Sequence, residues 1–290
     1  MVKLHIKHGD ESHFLYETTT DMPMDALLED VVAIYNGRLK VHRICGEMEQ
    51  LEKHGITLPP NMQGLTDEQV EDLKLKDEWE EKCIPQGGAK FNKDTIGCRN
   101  GHAPNDKMKE MLKKTMQEAK DLISKKKVEA NALVTQATVK EALDMLRGAV
   151  MIVYPMGLPP HDPIRNEFEN TEDLSGKQAS LEVLDMSNAS LWWAGKEMQR
   201  GKKLADYLGK NEKTKIVAKL QKRGMGAPAR EAPISAEDQK TMMAYYYNKQ
   251  EEWKRMEKES EDSYLDSPWA DGNQLKRQFQ GMKDVKWGPR

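Results

Sequence analysis

The chain has 290 residues, with 45 Lys+Arg against 48 Asp+Glu and a formal net charge of -3. That length fits one or two domains, and the near-neutral balance leaves no whole-chain field to draw the protein to nucleic acid or an anionic membrane. Hydrophobic residues are 38% and charged residues 32%, which predicts helices with wide solvated faces rather than full disorder.

The three cysteines, Cys45, Cys83 and Cys98, are widely spaced and form no CxxC pair, so neither a disulfide framework nor a zinc site is expected. No run approaches the ~20 apolar residues of a membrane span. The N-terminus alternates in polarity and lacks the continuous apolar core of a signal peptide. The expected setting is the reducing cytosol or an adjoining compartment.

In chain order, Val2, Leu4 and Ile6 alternate with Lys3, His5 and Lys7, which predicts a half-buried strand. His8-Gly9-Asp10-Glu11 is turn chemistry, and Phe14-Leu15-Tyr16 supplies a return strand. Leu27, Leu28, Val31, Val32 and Tyr35 recur at helical spacing, and Asn36-Gly37 reads as a stop. A second helix is expected from Leu39 to Glu52, with Ile44, Met48 and Leu51 on one side. A hairpin followed by a helix is how a β-grasp, ubiquitin-like unit begins, and many other α+β domains begin that way too.

Thr66-Asp67-Glu68-Gln69 is a capping box that opens a short helix, with Trp79 just past it. Residues 84–105 carry Gly87-Gly88, Asn92, Gly97, Asn100-Gly101 and Pro104, and read as a long, exposed, mobile loop. Pro104 to Lys126 is a helix with the stripe Met108, Met111, Leu112, Thr115, Ala119 and Leu122. Thr138-Val139-Lys140-Glu141 reads as a second capping box, and Gly148 as the end of its helix.

Val150 to Tyr154 is then the most strand-like run, expected as a third strand beside the hairpin. Pro155 to Pro163 forbids regular structure. Helices are expected over Leu181–Gln199, Asn211–Arg223 and Ala236 to roughly Glu259, the last capped by Ser235. Its Met242, Tyr246, Trp253 and Met256 fall near heptad spacing, interrupted by Lys249, over too few heptads to claim a coiled coil. An acidic, then basic, tail follows from Ser260.

The search for chemistry is mostly negative. Gly209-Lys210-Asn211-Glu212-Lys213-Thr214 is not GxxxxGK[ST], and no GxSxG is present. His5, His8 and His13 cluster in sequence without cysteine or acidic residues at metal spacing, so solvated strand-edge histidines are favoured and no cofactor is expected. Cys45, in an amphipathic helix, reads as a small buried hydrophobe. The lysines 113–114 and 125–127 are interleaved with Glu110, Glu118 and Asp121, which suits a solvated helix face.

Two features remain. His161, Asp162 and Arg165 follow a proline-stiffened elbow, an address for functional loops. They fit three readings: an acid–base pair, a turn in which Asp162 caps a helix or bridges to Arg165, or a binding surface. Trp269 and Trp287 stand in the tail with no core-forming period around them, so they either pack back or anchor a partner. Trp192 and Trp193 are adjacent and cannot face the same way; at least one is expected in the core.

The blocks YNGRLKV (35–41), LPPNMQGLTDEQ (58–69), LKLKDEWEEKC (73–83), RGAVMIVYPMGLPPHDPIR (147–165), GKNEKTKIVAKLQKRG (209–224), GAPARE (226–231) and SPWADGNQLKRQF (267–279) together carry a resemblance. The chain resembles the Kurly-type cilia- and flagella-associated proteins nearly end to end, most loosely at Glu17–Asp25 and Asp185–Ala189. Cys98 stands where that pattern has a basic residue, and Trp253 where it has an aliphatic one.

The resemblance implies a non-enzymatic role in motile cilia: assembly of axonemal dynein arms, cilium orientation and planar cell polarity, in the cytoplasm, the cilium and the cilium base. The partners it implies are dynein assembly factors including a MYND zinc-finger protein, axonemal dynein subunits and Dishevelled-type polarity proteins.

The expected architecture is α+β, mainly helical: a small N-terminal sheet on helices within residues 1–156, a helical region at 164–259, and an extended tail at 260–290. Trp269, Trp287, His161, Asp162 and Arg165 are the expected protein-binding residues, with no nucleic acid, membrane or metal engaged. A stable axonemal component, an enzyme built on the elbow and a ubiquitin-like binding module built on residues 1–156 are the alternatives.

Overall fold

The computed structural model describes residues 1–229, 236–265 and 280. The chain divides into two compact units, Met1–Arg230 and Glu231–Arg290. The fold is α+β with a predominance of helix.

The first unit opens as its alternating polarity dictates. β1 (Val2–His8) pairs antiparallel with β2 (Glu11–Thr18), burying Val2, Leu4 and Ile6. α1 (Met24–His54) then runs unbroken for 31 residues, where a stop at Asn36-Gly37 was expected. Both stop residues have other work. The Asn36 amide holds the backbone of Leu184, donating to its carbonyl at 2.7 Å and accepting from its N–H at 3.0 Å. At Gly37 an added Cβ would lie 2.6 Å from Val139 Cγ1, so the missing side chain lets a neighbouring helix approach closely.

Past α1 come α2 (Asp67–Asp72), with the expected Thr66–Gln69 capping box, then a two-stranded sheet of β3 (Ala89–Phe91) and β4 (His102–Pro104). The segment expected as a mobile loop is thus tied down. Asp94 accepts backbone N–H bonds from Ile96, Cys98 and Arg99, and buried Arg99 donates to the Gly55 carbonyl at 2.8 Å. α3 (Asp106–Leu122), capped by Asn105, and α4 (Gln136–Val153), capped by Thr135, pack on α1 and on each other. The capping box of α4 joins Thr135 to Thr138, three residues earlier than the sequence suggested.

Val150–Tyr154 is the largest correction to the expected strands. These residues are the last turn of α4 and its C-cap, not a third strand. A five-residue apolar run does not distinguish a covered strand from a helix, and here the helical stripe Val139, Ala142, Leu146, Val150 and Val153 decides. α5 (Pro163–Glu169) and α6 (Ala179–Glu182) follow.

The expected helices Leu181–Gln199 and Asn211–Arg223 are also overturned. They hold β5 (Ala189–Trp193), β6 (Lys196–Glu197) and β7 (Lys215–Lys222), with the short α7 (Ala205–Leu208) between. In β7 the burial alternates: Ile216, Ala218 and Leu220 face the core while Val217 is exposed. That period of two is the signature of a strand with one covered face. Adjacent Trp192 and Trp193 point to opposite faces of β5, and Trp193 is the one packed on the core.

The main sheet has the order β2-β1-β7-β5-β6. β7 lies parallel to β1, from Lys3↔Lys215 to Lys7↔Lys219, and antiparallel to β5. The buried faces of sheet and helices form one core that runs from Val2 to Leu220. The second unit contributes α8 (Ala236–Leu265). The proposed cap Ser235 lies outside the described residues.

Under this sheet, α1 carries Arg38, which is 3% exposed. Its guanidinium donates to the Ile123 carbonyl at 3.0 Å and to His13 Nδ1 at 3.2 Å, and lies over the Phe14 ring. The donated bond makes Nδ1 of His13 the unprotonated nitrogen. His8 and His13 sit against Tyr35 with ring centroids 5.4 and 5.2 Å from it. Among the described residues no group of His, Cys, Asp and Glu is arranged to hold a metal. Cys45 is fully buried, and burial pushes its thiol up to about 11.

Two outcomes follow. Leu220→Ala should cost about 2–5 kcal/mol of stability, because it empties a fully buried position of a central strand; urea unfolding followed by circular dichroism reads this. The second concerns pH. Burial first, then the Arg38, Lys125 and His8 charges, lower the pKa of His13 from 6.5 to about 4, with Glu11 opposing. The unfolded chain takes up this proton first as pH falls, so stability held above pH 6.5 drains away toward pH 4. His13→Gln should flatten the dependence of the urea midpoint on pH across that window, and an unchanged slope would count against the buried neutral imidazole.

Candidate functional site

The elbow forms because α4 cannot continue. Tyr154 caps it, Pro155 removes the next donor, and the turn closes with the Gly157 N–H on the Tyr154 carbonyl at 2.9 Å. Pro159 and Pro160 extend the chain, and the Asp162 N–H returns to the Pro159 carbonyl at 3.0 Å. Pro163 then starts α5 at its first turn, where no N–H is missed.

His161 and Asp162 both act on one residue, Thr57, in the segment just after α1. His161 Nε2 donates to the Thr57 carbonyl at 2.9 Å. Asp162 Oδ2 accepts from the Thr57 N–H at 3.3 Å, while Oδ1 caps α5 by accepting from Ile164 N–H at 2.9 Å. The elbow therefore holds both backbone polar groups of a single residue. Asp162 is fully buried in doing so. Gly55, two residues before Thr57, has φ 79°, and a Cβ there would lie 2.4 Å from the His102 carbonyl oxygen. The end of α1, β4 and the elbow thus meet at one crowded point.

Arg165 does not bridge to Asp162. Its Nε pairs with Glu169 at 2.8 Å and Nη1 donates to the Leu158 carbonyl at 3.1 Å. The capping role foreseen for Asp162 is present, and its carboxylate and the His161 imidazole are both engaged with backbone. His161 and Asp162 converge on Thr57, whereas Arg165 is bound to Leu158 and Glu169 and lines the other groove. Trp269 and Trp287 lie outside the described residues.

Two depressions flank the elbow. One, of about 420 Å³, is lined by the charged and polar residues His161, Arg99, Glu47 and Glu167 among others. Behind it Arg43 holds Glu167 through two hydrogen bonds, at 2.6 and 3.0 Å, and Lys40 pairs with Glu172 at 3.0 Å. The other, of about 360 Å³, lies between α4 and α5 and is walled by Met151, Tyr154, Leu158 and Phe168, with Arg147 and Arg165 at its rim. Arg147 stacks on the Phe168 ring at 5.3 Å and donates to the Phe168 carbonyl at 2.9 Å.

This second groove was missed in the sequence. Met151, Ile152 and Met156 are 64%, 51% and 78% exposed, although they sit in the most apolar stretch of the chain. Reading that stretch as a strand covered on both faces hid them. The available signal was stoichiometric: a helix with one covered face has no inward position left for Met151 and Ile152. The flexible Met151 beside the Tyr154 and Phe168 rings suits an incoming apolar side chain, and Met156 is exposed two residues past Tyr154.

Comparison with known proteins adds an independent line. The family model for Cilia- and flagella-associated protein 298 matches residues 189–285. Cilia- and flagella-associated protein 298-A of Xenopus laevis is 64% identical over 290 residues, covering 100% of both chains. The Homo sapiens protein 298 is likewise 64% identical over 290 residues and 100% of both chains. The Drosophila melanogaster protein 298 is 50% identical over 287 residues, 99% of each chain. No solved structure matches the chain. On full-length identity of this order, the chain belongs to the cilia- and flagella-associated protein 298 family.

Proposed function

We propose that the protein is a non-enzymatic adaptor for the assembly of axonemal dynein arms, acting in motile cilium function and cilium orientation. A cilium-related role rests on the family. The adaptor reading is carried by one structural observation: His161 and Asp162 are spent on holding Thr57 and Arg165 on Leu158 and Glu169, while the large apolar side chains Met151, Ile152 and Met156 beside them are exposed. Such a patch supplies contact area to another protein.

The groove of Met151, Phe168 and Leu158 is the proposed docking surface, with Arg165 at its rim and His161 and Asp162 fixing its shape. Trp269 and Trp287 are proposed as further anchors. The proposed partners are dynein assembly factors including a MYND zinc-finger protein, axonemal dynein subunits, and Dishevelled-type polarity proteins. The proposed setting is the cytoplasm and the cilium base.

A second reading, a ubiquitin-like protein-binding module, is favoured by strand order. A hairpin, a helix across it and a later strand inserted parallel to β1 follow the β-grasp plan. Its central strand would be β7, so such a module is not contained in residues 1–156 alone.

The test is capture of the MYND zinc-finger assembly factor by the full chain. Met151→Asp with Met156→Asp should weaken capture about tenfold or more, with an unchanged urea midpoint, since both side chains are exposed. Trp269→Ala with Trp287→Ala should weaken it separately. Asp162→Ala should instead destabilise the fold by about 1–3 kcal/mol, through the lost cap and the Thr57 N–H left unpaired. Full capture by both the methionine and the tryptophan variants would refute the adaptor surface.

A further inference from the structure

α8 poses a question independent of the dynein reading. All of its described side chains, residues 237–258, are exposed. Yet Met242, Tyr246, Lys249, Trp253 and Met256 follow one another at steps of four, three, four and three. That is the spacing of a heptad seam, which stays on one face of a helix. Its apolar members are 47%, 64%, 61% and 56% exposed for Met242, Tyr246, Trp253 and Met256. The seam is about 21 Å long at 1.5 Å per residue, enough for one partner helix of roughly four turns.

The interruption at Lys249 defines the occupant. Lys249 Nζ lies 5.8 Å from the centroid of the Tyr245 ring and 5.6 Å from that of Trp253. The two rings hold the ammonium over the seam by cation–π attraction. A second copy in parallel register would set Lys249 against Lys249 in a layer that is losing its water, which like charges oppose. A carboxylate there would complete the layer and fix the register, as a single polar seam residue does.

We infer that α8 is a docking helix for an amphipathic helix of a different protein, one that places an Asp or Glu opposite Lys249 between apolar anchors. Tyr246 and Trp253 take the apolar anchors on either side, and Lys249 selects the partner by charge.

The experiment uses the full chain and two labelled synthetic amphipathic peptides of about three heptads. The peptides differ only in a central seam residue, Glu in one and Lys in the other. Fluorescence anisotropy at low ionic strength should show the Glu peptide binding about tenfold tighter. Lys249→Glu should invert that preference, and Trp253→Ala should weaken both peptides while helix content by circular dichroism stays constant. Equal affinities, binding of neither peptide, or a preference that survives Lys249→Glu would overturn the inference. So would sedimentation equilibrium showing a dimer of the free chain that Trp253→Ala dissolves, because a second copy would then own the seam.

Discussion

The parallel pairing of β1 with β7 is the contact on which the first unit depends. It joins the start of the chain to residues near 220; the His8 ring bonds the Leu220 carbonyl at 2.8 Å across 212 positions. Without β7, β1 and β2 would be an isolated hairpin, which is marginal in water at best. With it, β5 and β6 are recruited, and Leu4, Ile6, Ile216, Ala218 and Leu220 share one core with α1. Closing so long a loop costs little more than closing a shorter one, because the entropy grows only logarithmically with length. What lies between α1 and β5, residues 55–188, is thereby held at both ends by the same sheet-and-helix body.

That intervening segment builds the elbow, and its polar groups serve architecture. Arg99 ties β4's approach to the end of α1, Asp94 gathers three backbone N–H groups, and His161 with Asp162 grips Thr57. Each of these groups bonds backbone, Arg99 with the Glu47 carboxylate in addition, which is how a chain this polar folds its loops tightly. Beside this corner the large exposed apolar side chains are Met151 and Ile152 in the last turn of α4 and Met156 past its end, with Met151 lining the groove next to Phe168 of α5. Surfaces of that kind recognise side chains of other proteins by shape and burial.

The sequence told some of this directly and hid the rest for identifiable reasons. Strict alternation gave β1, the Thr66–Gln69 box gave α2, and the stripe of Leu112 and Ala119 gave α3. Asn36-Gly37 misled because tertiary contacts with Leu184 and Val139 use residues that elsewhere stop helices. β7 was masked by its lysines, whose long stems suit a helix as readily as the open face of a strand. Val150–Tyr154 was misread because apolarity alone carries no period. Of the candidate site, His161, Asp162 and Arg165 were legible as an elbow, and Asp162 as a cap. The partner residue Thr57, about a hundred positions earlier, was not, since nothing local records a long-range hydrogen bond.

The β1–β7 pairing is most directly examined by amide hydrogen exchange on the intact chain. Ile216, Ala218 and Leu220 should rank with Leu4 and Ile6 among the slowest-exchanging residues, opening only with global unfolding. Rapid exchange through residues 215–222 while β1, β2 and α1 stay protected would contradict the central place given to that strand.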